Sequence, residues 1–263
     1  MDEREQGALL TVAVSLGLLG NIPVIVWICQ RRRLLKDNYY YIILHLAICD
    51  LFYLLLFIPD IYSIFNASPS AASSSYLPCK ILWPAHTAVF TAGTNFLVII
   101  SILRYRAVIQ PLTPAVSRTK LKIILTTVYV IAIICIIPYV MVLRFDEMSG
   151  CNEEWPTQSL YIAYTMFLLV IQFFLPVASL SIIYFKIGKE VLTRNNRIGQ
   201  MYARNQTQQQ STATPHQHLK IKEAKPLLVS FSIVACFIVS GFPAQMLWIL
   251  FVSKRDNRFL LAT

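Results

Sequence analysis

Six long apolar runs dominate the pattern of the chain. They lie near Gly7–Cys29, Tyr39–Phe65, Cys79–Ile109, Lys120–Leu143, Leu160–Ile187 and Glu223–Val252. Each supplies the roughly 20 residues a helix needs to cross about 30 Å of hydrocarbon. The pattern predicts an all-α membrane-spanning helical bundle, a single domain over residues 1–263. The first run follows Met1–Gln6 directly, is too long for a signal-peptide core and lacks a small-residue cleavage site, so it reads as an anchor. No internal repeat or heptad stands out. Between the runs, Asn66–Pro78 is rich in Ser and Ala and predicts a flexible outer loop; Arg194–His218 is rich in Gln, Asn and Thr and predicts a largely disordered inner loop.

Composition agrees. Hydrophobic residues are 56% of the 263 and charged residues 14%. A soluble protein could not hide so much apolar side chain. Disorder, a nucleic-acid-binding domain and an ordinary cytosolic enzyme are thereby disfavoured. The net charge of +10 is distributed by side: 17 of the 23 Lys and Arg fall in the stretches Arg31–Lys36, Arg104–Lys122 and Lys186–Lys225. Basic loops stay cytoplasmic, which places the amino terminus outside. The other side holds most of the acids, including Asp146, Glu147, Glu153 and Glu154. Six spans would also put Lys254, Arg255 and Arg258 outside, against the rule.

Some residues do not belong in lipid. Asp50 lies within the second run, and a carboxylate there needs solvent or a partner, unless it is nearer the interface than the run implies. Asn21 in the first run is a candidate partner. Arg104, at the inner end of the third run, reads by itself as a snorkelling charge. Cys79 and Cys151 are the two outer cysteines, either bridged or free thiols; an extracellular setting permits the bridge. Cys29, Cys49, Cys135 and Cys236 read as small buried hydrophobes. Pro59, Pro138, Pro176 and Pro243 interrupt four spans, suggesting a bundle that bends around an outer cavity. Asn66 opens a weak glycosylation sequon near the outer membrane surface.

Together these residues resemble a rhodopsin-like (class A) G-protein-coupled receptor over nearly the whole chain. The resemblance is carried by Gly20-Asn21, by Leu46 to Asp50 and by Cys79 with Cys151. It continues through Leu103-Arg104-Tyr105 and Pro111-Leu112, Pro176 with Tyr184, and Phe237 with Pro243. Four departures stand out. Leu103 replaces the acid before Arg104; the fourth-span Trp is missing, with Val128-Tyr129 in that region; Gly241 stands at the sixth-span Trp; Gly93 stands where a hydroxyl usually helps Asp50 hold sodium, which argues against a metal site. A seventh span with Asn-Pro-x-x-Tyr is absent up to Thr263, so the chain looks like a receptor missing its last helix.

The resemblance implies a plasma-membrane, multi-pass receptor that activates a heterotrimeric G protein when span six swings outward on its proline. Arg104, Tyr105, Tyr184, Glu223, Phe237 and Pro243 would form the coupling and activation switch. Glu223 is either a partner of Arg104 or a solvated surface acid. Leu103 predicts raised basal signalling. No cofactor is implied. His86 occupies the position of the amine-receptor Asp, which disfavours monoamines. The stretch Cys151-Asn152-Glu153-Glu154-Trp155-Pro156 resembles neuropeptide receptors. An extracellular peptide or small ligand would meet Glu153, Glu154 and Trp155, with His86, Gln172, Gln245 and Trp248 lining the cavity. Glu153 and Glu154 could equally be a solvated acidic loop, and His86 a packing residue. The competing readings are a truncated non-signalling fragment, an opsin or orphan receptor of the same fold, a transporter and a membrane enzyme. The last two lack repeats, several buried charges or a catalytic cluster.

Overall fold

The computed structural model describes residues 3–66, 76–147 and 150–206. Its helices are α1 (Glu3–Gln30), α2 (Asn38–Leu55), α3 (Ile58–Asn66), α4 (Tyr76–Ile109), α5 (Arg118–Val142), α6 (Gln158–Leu169) and α7 (Leu175–Gln206). A π-helical segment, Val170–Phe174, joins the last two, and an antiparallel hairpin, β1 (Leu143–Asp146) and β2 (Gly150–Glu153), follows α5. Five stretches are long and apolar enough to cross a membrane: Gly7–Gln30, Asn38–Asn66, Tyr76–Ile109, Arg118–Val142 and Gln158–Arg194. They coincide with the first five apolar runs. The sixth run, Glu223–Val252, lies outside the described residues.

Local chemistry sets the boundaries. Asp37 caps α2 by accepting from the Tyr39 amide at 2.8 Å, and Thr157 caps α6 by accepting from Leu160 at 3.2 Å. Ser117 caps α5 in the same way. The second span breaks between α2 and α3, and Pro59 enters in the first turn of α3, where its missing N–H costs nothing. Pro176 cannot donate to the carbonyl four residues before it, and the ladder is re-spaced as the π-helical segment immediately upstream.

Two loop expectations are corrected. α4 begins at Tyr76, so the outer loop ends before Pro78. α7 runs to Gln206, so residues 194–206 are helical rather than disordered. That stretch is polar but contains no proline, and Arg194 pairs with Glu190 one turn back at 2.9 Å. Polarity argued against burial there, not against helix.

The chain forms two compact units, one of Met1–Ile100 with Ala115–Gln172, the other of Ser101–Pro114 with Phe173–Thr263. In the first, α1 packs on α2 and α3 through glycines. A Cβ at Gly7 would come within 2.7 Å of Ile64 Cγ2, and one at Gly17 within 2.7 Å of Leu54 Cδ1. Ile42, Ala47, Phe96, Leu121 and Ala132 are buried, whereas Leu9, Leu16, Ile123, Ile133 and Ile134 are exposed. Exposed aliphatic faces of this kind are solvated by lipid tails.

Candidate functional site

A cap at the start of α4 is built on a disulfide. Cys79, near the start of α4, is bonded to Cys151 on β2, with Cα atoms 5.6 Å apart. In the hairpin register Cys151 faces Phe145 and Glu153 faces Leu143; Gly150 opens β2 at φ 75°, a left-handed turn that favours glycine. Cys79, Leu143 and Cys151 are buried together, with Trp83, Tyr139 and Phe145 against them. Lys80, the residue after Cys79, donates its ammonium to the carbonyls of Val140 (2.9 Å) and Leu143. A cation there satisfies the orphan carbonyls at the end of α5 and complements its dipole.

The acids that sequence reading assigned to a ligand already have protein partners. Glu153 accepts from the Trp155 indole N–H at 2.9 Å and from the Tyr139 hydroxyl at 3.3 Å. Trp155 lies 5.1 Å from Tyr164 and 5.9 Å from Tyr161, ring centre to ring centre. The Tyr164 hydroxyl donates to the Cys135 carbonyl at 3.0 Å. The Glu153 carboxylate therefore orients an aromatic cluster where the end of α5 meets the start of α6. Glu154, next in the chain, is exposed and 3.7 Å from the equally exposed Arg144.

Deeper in the same unit, His86 stacks on Tyr53 at 4.8 Å and meets the edge of Phe57 at 4.2 Å. Its Nε2 is buried without a hydrogen-bond partner among the described residues. Gln172, in the π-helical segment, donates to the Thr91 hydroxyl at 2.8 Å and the Thr87 carbonyl at 3.4 Å. Asn21 spends its amide on the Gly17 carbonyl of its own helix at 3.0 Å; no bond joins it to Asp50 among the described residues. Asp50 is half-buried beside Gly93, where an added Cβ would lie 3.8 Å from its Oδ1.

In the second unit, Ser101 donates to the Tyr184 hydroxyl at 2.9 Å, which ties α7 to α4 one turn before Arg104. Arg104 and Tyr105 are half-buried on α4, and Arg106 donates to the Pro114 carbonyl at 3.2 Å, closing the following loop. Glu223, Phe237, Pro243, Gln245 and Trp248 lie outside the described residues. Asn66 is exposed and donates to the Tyr62 carbonyl; the rest of its sequon also lies outside the described residues.

Residues 20–261 match the family described as 7 transmembrane receptor (rhodopsin family). The chain belongs to this family. Among relatives, it is 27% identical to the atypical chemokine receptor 4 of Bos taurus over 90% of this chain and 60% of that protein. It is 26% identical to the neuropeptide S receptor of Mus musculus, over 68% and 48%. It is 27% identical to the QRFP-like peptide receptor of Branchiostoma floridae, over 65% and 47%. The chain thus spans about half the length of the curated relatives it matches.

Two features of this receptor were missed by sequence reading. The Tyr129 hydroxyl is 3.0 Å from His45 Nδ1 and 3.7 Å from Cys49 Sγ, with Phe96 edge-on to the Tyr129 ring at 5.2 Å. This polar contact between α2 and α5 occupies the region of the missing fourth-span Trp. A His in the second run and a Tyr in the fourth were its only signal. The other is Arg118. It lies 3.5 Å over the Tyr41 ring and donates to Asn38 Oδ1 at 3.2 Å and the Leu35 carbonyl at 2.6 Å.

Proposed function

We propose that the chain belongs to a plasma-membrane receptor with its amino terminus outside, which binds an extracellular peptide and activates a heterotrimeric G protein. The observation that carries the peptide reading is the disulfide-held hairpin. It presents an exposed Glu154 beside a rigid Trp155 platform, an arrangement suited to a cationic and aromatic peptide end. Glu154 meets the cationic group by exchanging its weak surface partner Arg144. Glu153 holds Trp155 in place. His86 and Gln172 are the described residues assigned to the deeper floor, and Gln245 and Trp248 are further candidates from the sequence. The names of two relatives, a neuropeptide S receptor and a QRFP-like peptide receptor, support a peptide over an amine.

Coupling follows the family pattern of a population shift. An agonist favours the arrangement in which span six moves outward on Pro243, beside Phe237, and opens a cytoplasmic cleft at Arg104 and Tyr105. The Ser101–Tyr184 bond is the contact that movement of α7 would have to break or keep. Glu223 is the restraint on Arg104 that Leu103 does not provide.

The test is expression of the chain with an amino-terminal epitope tag in cultured cells. Antibody should reach the tag without permeabilisation, and amidated peptides with basic or aromatic ends should change a second messenger. A tag reached only after permeabilisation, with no peptide response, would favour the non-signalling fragment.

A further inference from the structure

We infer that the aromatic cluster around Glu153 holds the trimethylammonium group of a choline-headgroup lipid. The starting point is a charge without a counter-charge. Glu153 is half-buried, and each of its oxygens holds one donor, the Tyr139 hydroxyl at 3.3 Å and the Trp155 indole N–H at 2.9 Å. Both donors are neutral, so they orient the carboxylate and leave its charge. Among the described residues no Lys or Arg pairs with it. Arg144 is 3.7 Å from Glu154, and the hairpin register puts Arg144 opposite Asn152, on the other face from Glu153. The Lys80 ammonium bonds the Val140 and Leu143 carbonyls. A carboxylate taken partly out of water calls for a cation.

The rings select the kind of cation. Tyr139 and Tyr164 lie within 15° of parallel with centres 6.2 Å apart, and Trp155 is 5.1 Å from Tyr164 at 36°. All three are half-buried, so part of each ring stays open. Ring faces carry partial negative charge and attract a cation, and a set of them around one point is the recognised way to hold a quaternary ammonium. A primary ammonium brings three N–H donors, which ring faces accept poorly, and each Glu153 oxygen already has a donor. A trimethylammonium group brings charge and methyl groups and donates nothing.

The cluster sits at a membrane boundary. It joins the end of the apolar segment Arg118–Val142 to the start of Gln158–Arg194, the level where Trp and Tyr gather among headgroups. Deeper along α6, the chemistry changes. Tyr164 shares one face of that helix with Leu160 and Phe167, both exposed, and the Phe167 ring lies 6.5 Å from that of Tyr164. This apolar face leads from the rings into the hydrocarbon and fits the acyl chains of the same molecule. Headgroup and chains together favour a lipid over free choline. The inference holds for either orientation of the chain in the membrane and does not depend on signalling.

The full chain would be reconstituted in nanodiscs of phosphatidylcholine and phosphatidylethanolamine in equal amounts with identical acyl chains. Retained lipid would be counted by native mass spectrometry. Phosphatidylcholine should be retained about threefold or more over phosphatidylethanolamine. Tyr164→Phe keeps the ring and gives up only the bond to the Cys135 carbonyl, so the preference should stand. Tyr164→Leu removes the ring and should lower the preference about threefold. Glu153→Gln removes the charge and should abolish it. Trp155→Phe loses the same indole bond but keeps charge and rings, and should hold the preference within about twofold. That variant separates the charge from any loosening of the cluster.

Equal retention of the two lipids by the unmodified chain would overturn the inference, as would an unchanged preference in Tyr164→Leu or Glu153→Gln. Soluble phosphocholine that displaces the lipid at equal concentration would assign the site to a free quaternary cation and overturn the lipid. An amidated Arg-Phe peptide that displaces it as readily from Glu154→Gln as from the unmodified chain would give the rings to a peptide end, with the same result. Absence of any peptide response beside an intact lipid preference would sink the peptide reading and support this one.

Discussion

Glu153 separates a ligand contact from a scaffold, and the geometry yields a magnitude. Its carboxylate accepts at 2.9 Å from the Trp155 indole and at 3.3 Å from the Tyr139 hydroxyl. A hydrogen bond to a charged acceptor contributes about 1.5–3 kcal/mol, and the longer of the two sits at or below the low end. Glu153→Ala strands both donors in a half-buried aromatic cluster, at a cost of about 3 kcal/mol. For a domain of this size that is a fall of about 6–12 °C in Tm. Glu153→Gln keeps one oxygen and cannot accept both donors well; about 1–2 kcal/mol is expected. The assay is thermal unfolding of purified receptor in nanodiscs, read by tryptophan fluorescence, with a double-mutant cycle against Trp155→Phe. The cycle should return about 1–2 kcal/mol of coupling. Peptide affinity supplies the second axis: Glu154→Gln should weaken it with Tm unmoved, whereas Glu153→Gln should lower Tm first. Variants of Glu153 that unfold with the unmodified receptor, and a cycle near zero, would refute the scaffold role.

Four further outcomes follow from the same geometry. Breaking the Cys79–Cys151 bridge, with its sequence separation of 72, would cost about 4 kcal/mol if the whole loop were free in the unfolded state. The bilayer already holds the ends of α4 and α5, so the short free segment after Leu143 sets a lower figure of about 2.5 kcal/mol, and the paired Ser variant should show it in thermal unfolding. Gly17→Leu should overpack against Leu54 by about 1–3 kcal/mol and be relieved by Leu54→Ala; absence of relief would refute the contact. Tyr129→Phe should cost about 1 kcal/mol, and less when His45 is also made apolar, because no partner is then left unsatisfied. Leu103→Asp should lower agonist-free second-messenger output in a receptor completed by a seventh span; unchanged output would sink the idea that Leu103 relaxes Arg104.

The spans were legible because lipid reads each residue by its own transfer energy, with little regard to neighbours. Five apolar runs coincide with five helical segments long and apolar enough to cross a membrane. The same logic failed at residues 194–206, where it measures unfitness for lipid and not unfitness for helix. Prolines were half legible. Pro59 falls in the first turn of α3, beside a break, while Pro23 and Pro84 pass within continuous α1 and α4. Whether a lost backbone bond becomes a break, a π-helical segment or a mild bend depends on which neighbouring groups re-satisfy the freed carbonyl, and those are set by packing.

The charged residues show where this limit bites. Sequence counted Lys80 and Glu153 as outer charges of opposite sign and read the acid as either a ligand contact or a solvated loop residue. In the structure each has partners within the cap, Lys80 the carbonyls at the end of α5 and Glu153 the side chains of Trp155 and Tyr139. The charge balance of a loop reports which side of the membrane it occupies, because every charge there counts equally in the field. It does not report which charges remain for a partner, because that depends on distances of a few ångströms. The cations of residues 31–36 and 120–122 make the opposite case. Counted one by one they were only a topology signal, and Arg118, itself one of the count, ties the two stretches through the Leu35 carbonyl and the Tyr41 ring. At the hairpin, Glu153 is drawn into the aromatic cluster while Glu154, one residue on, stays exposed beside Arg144.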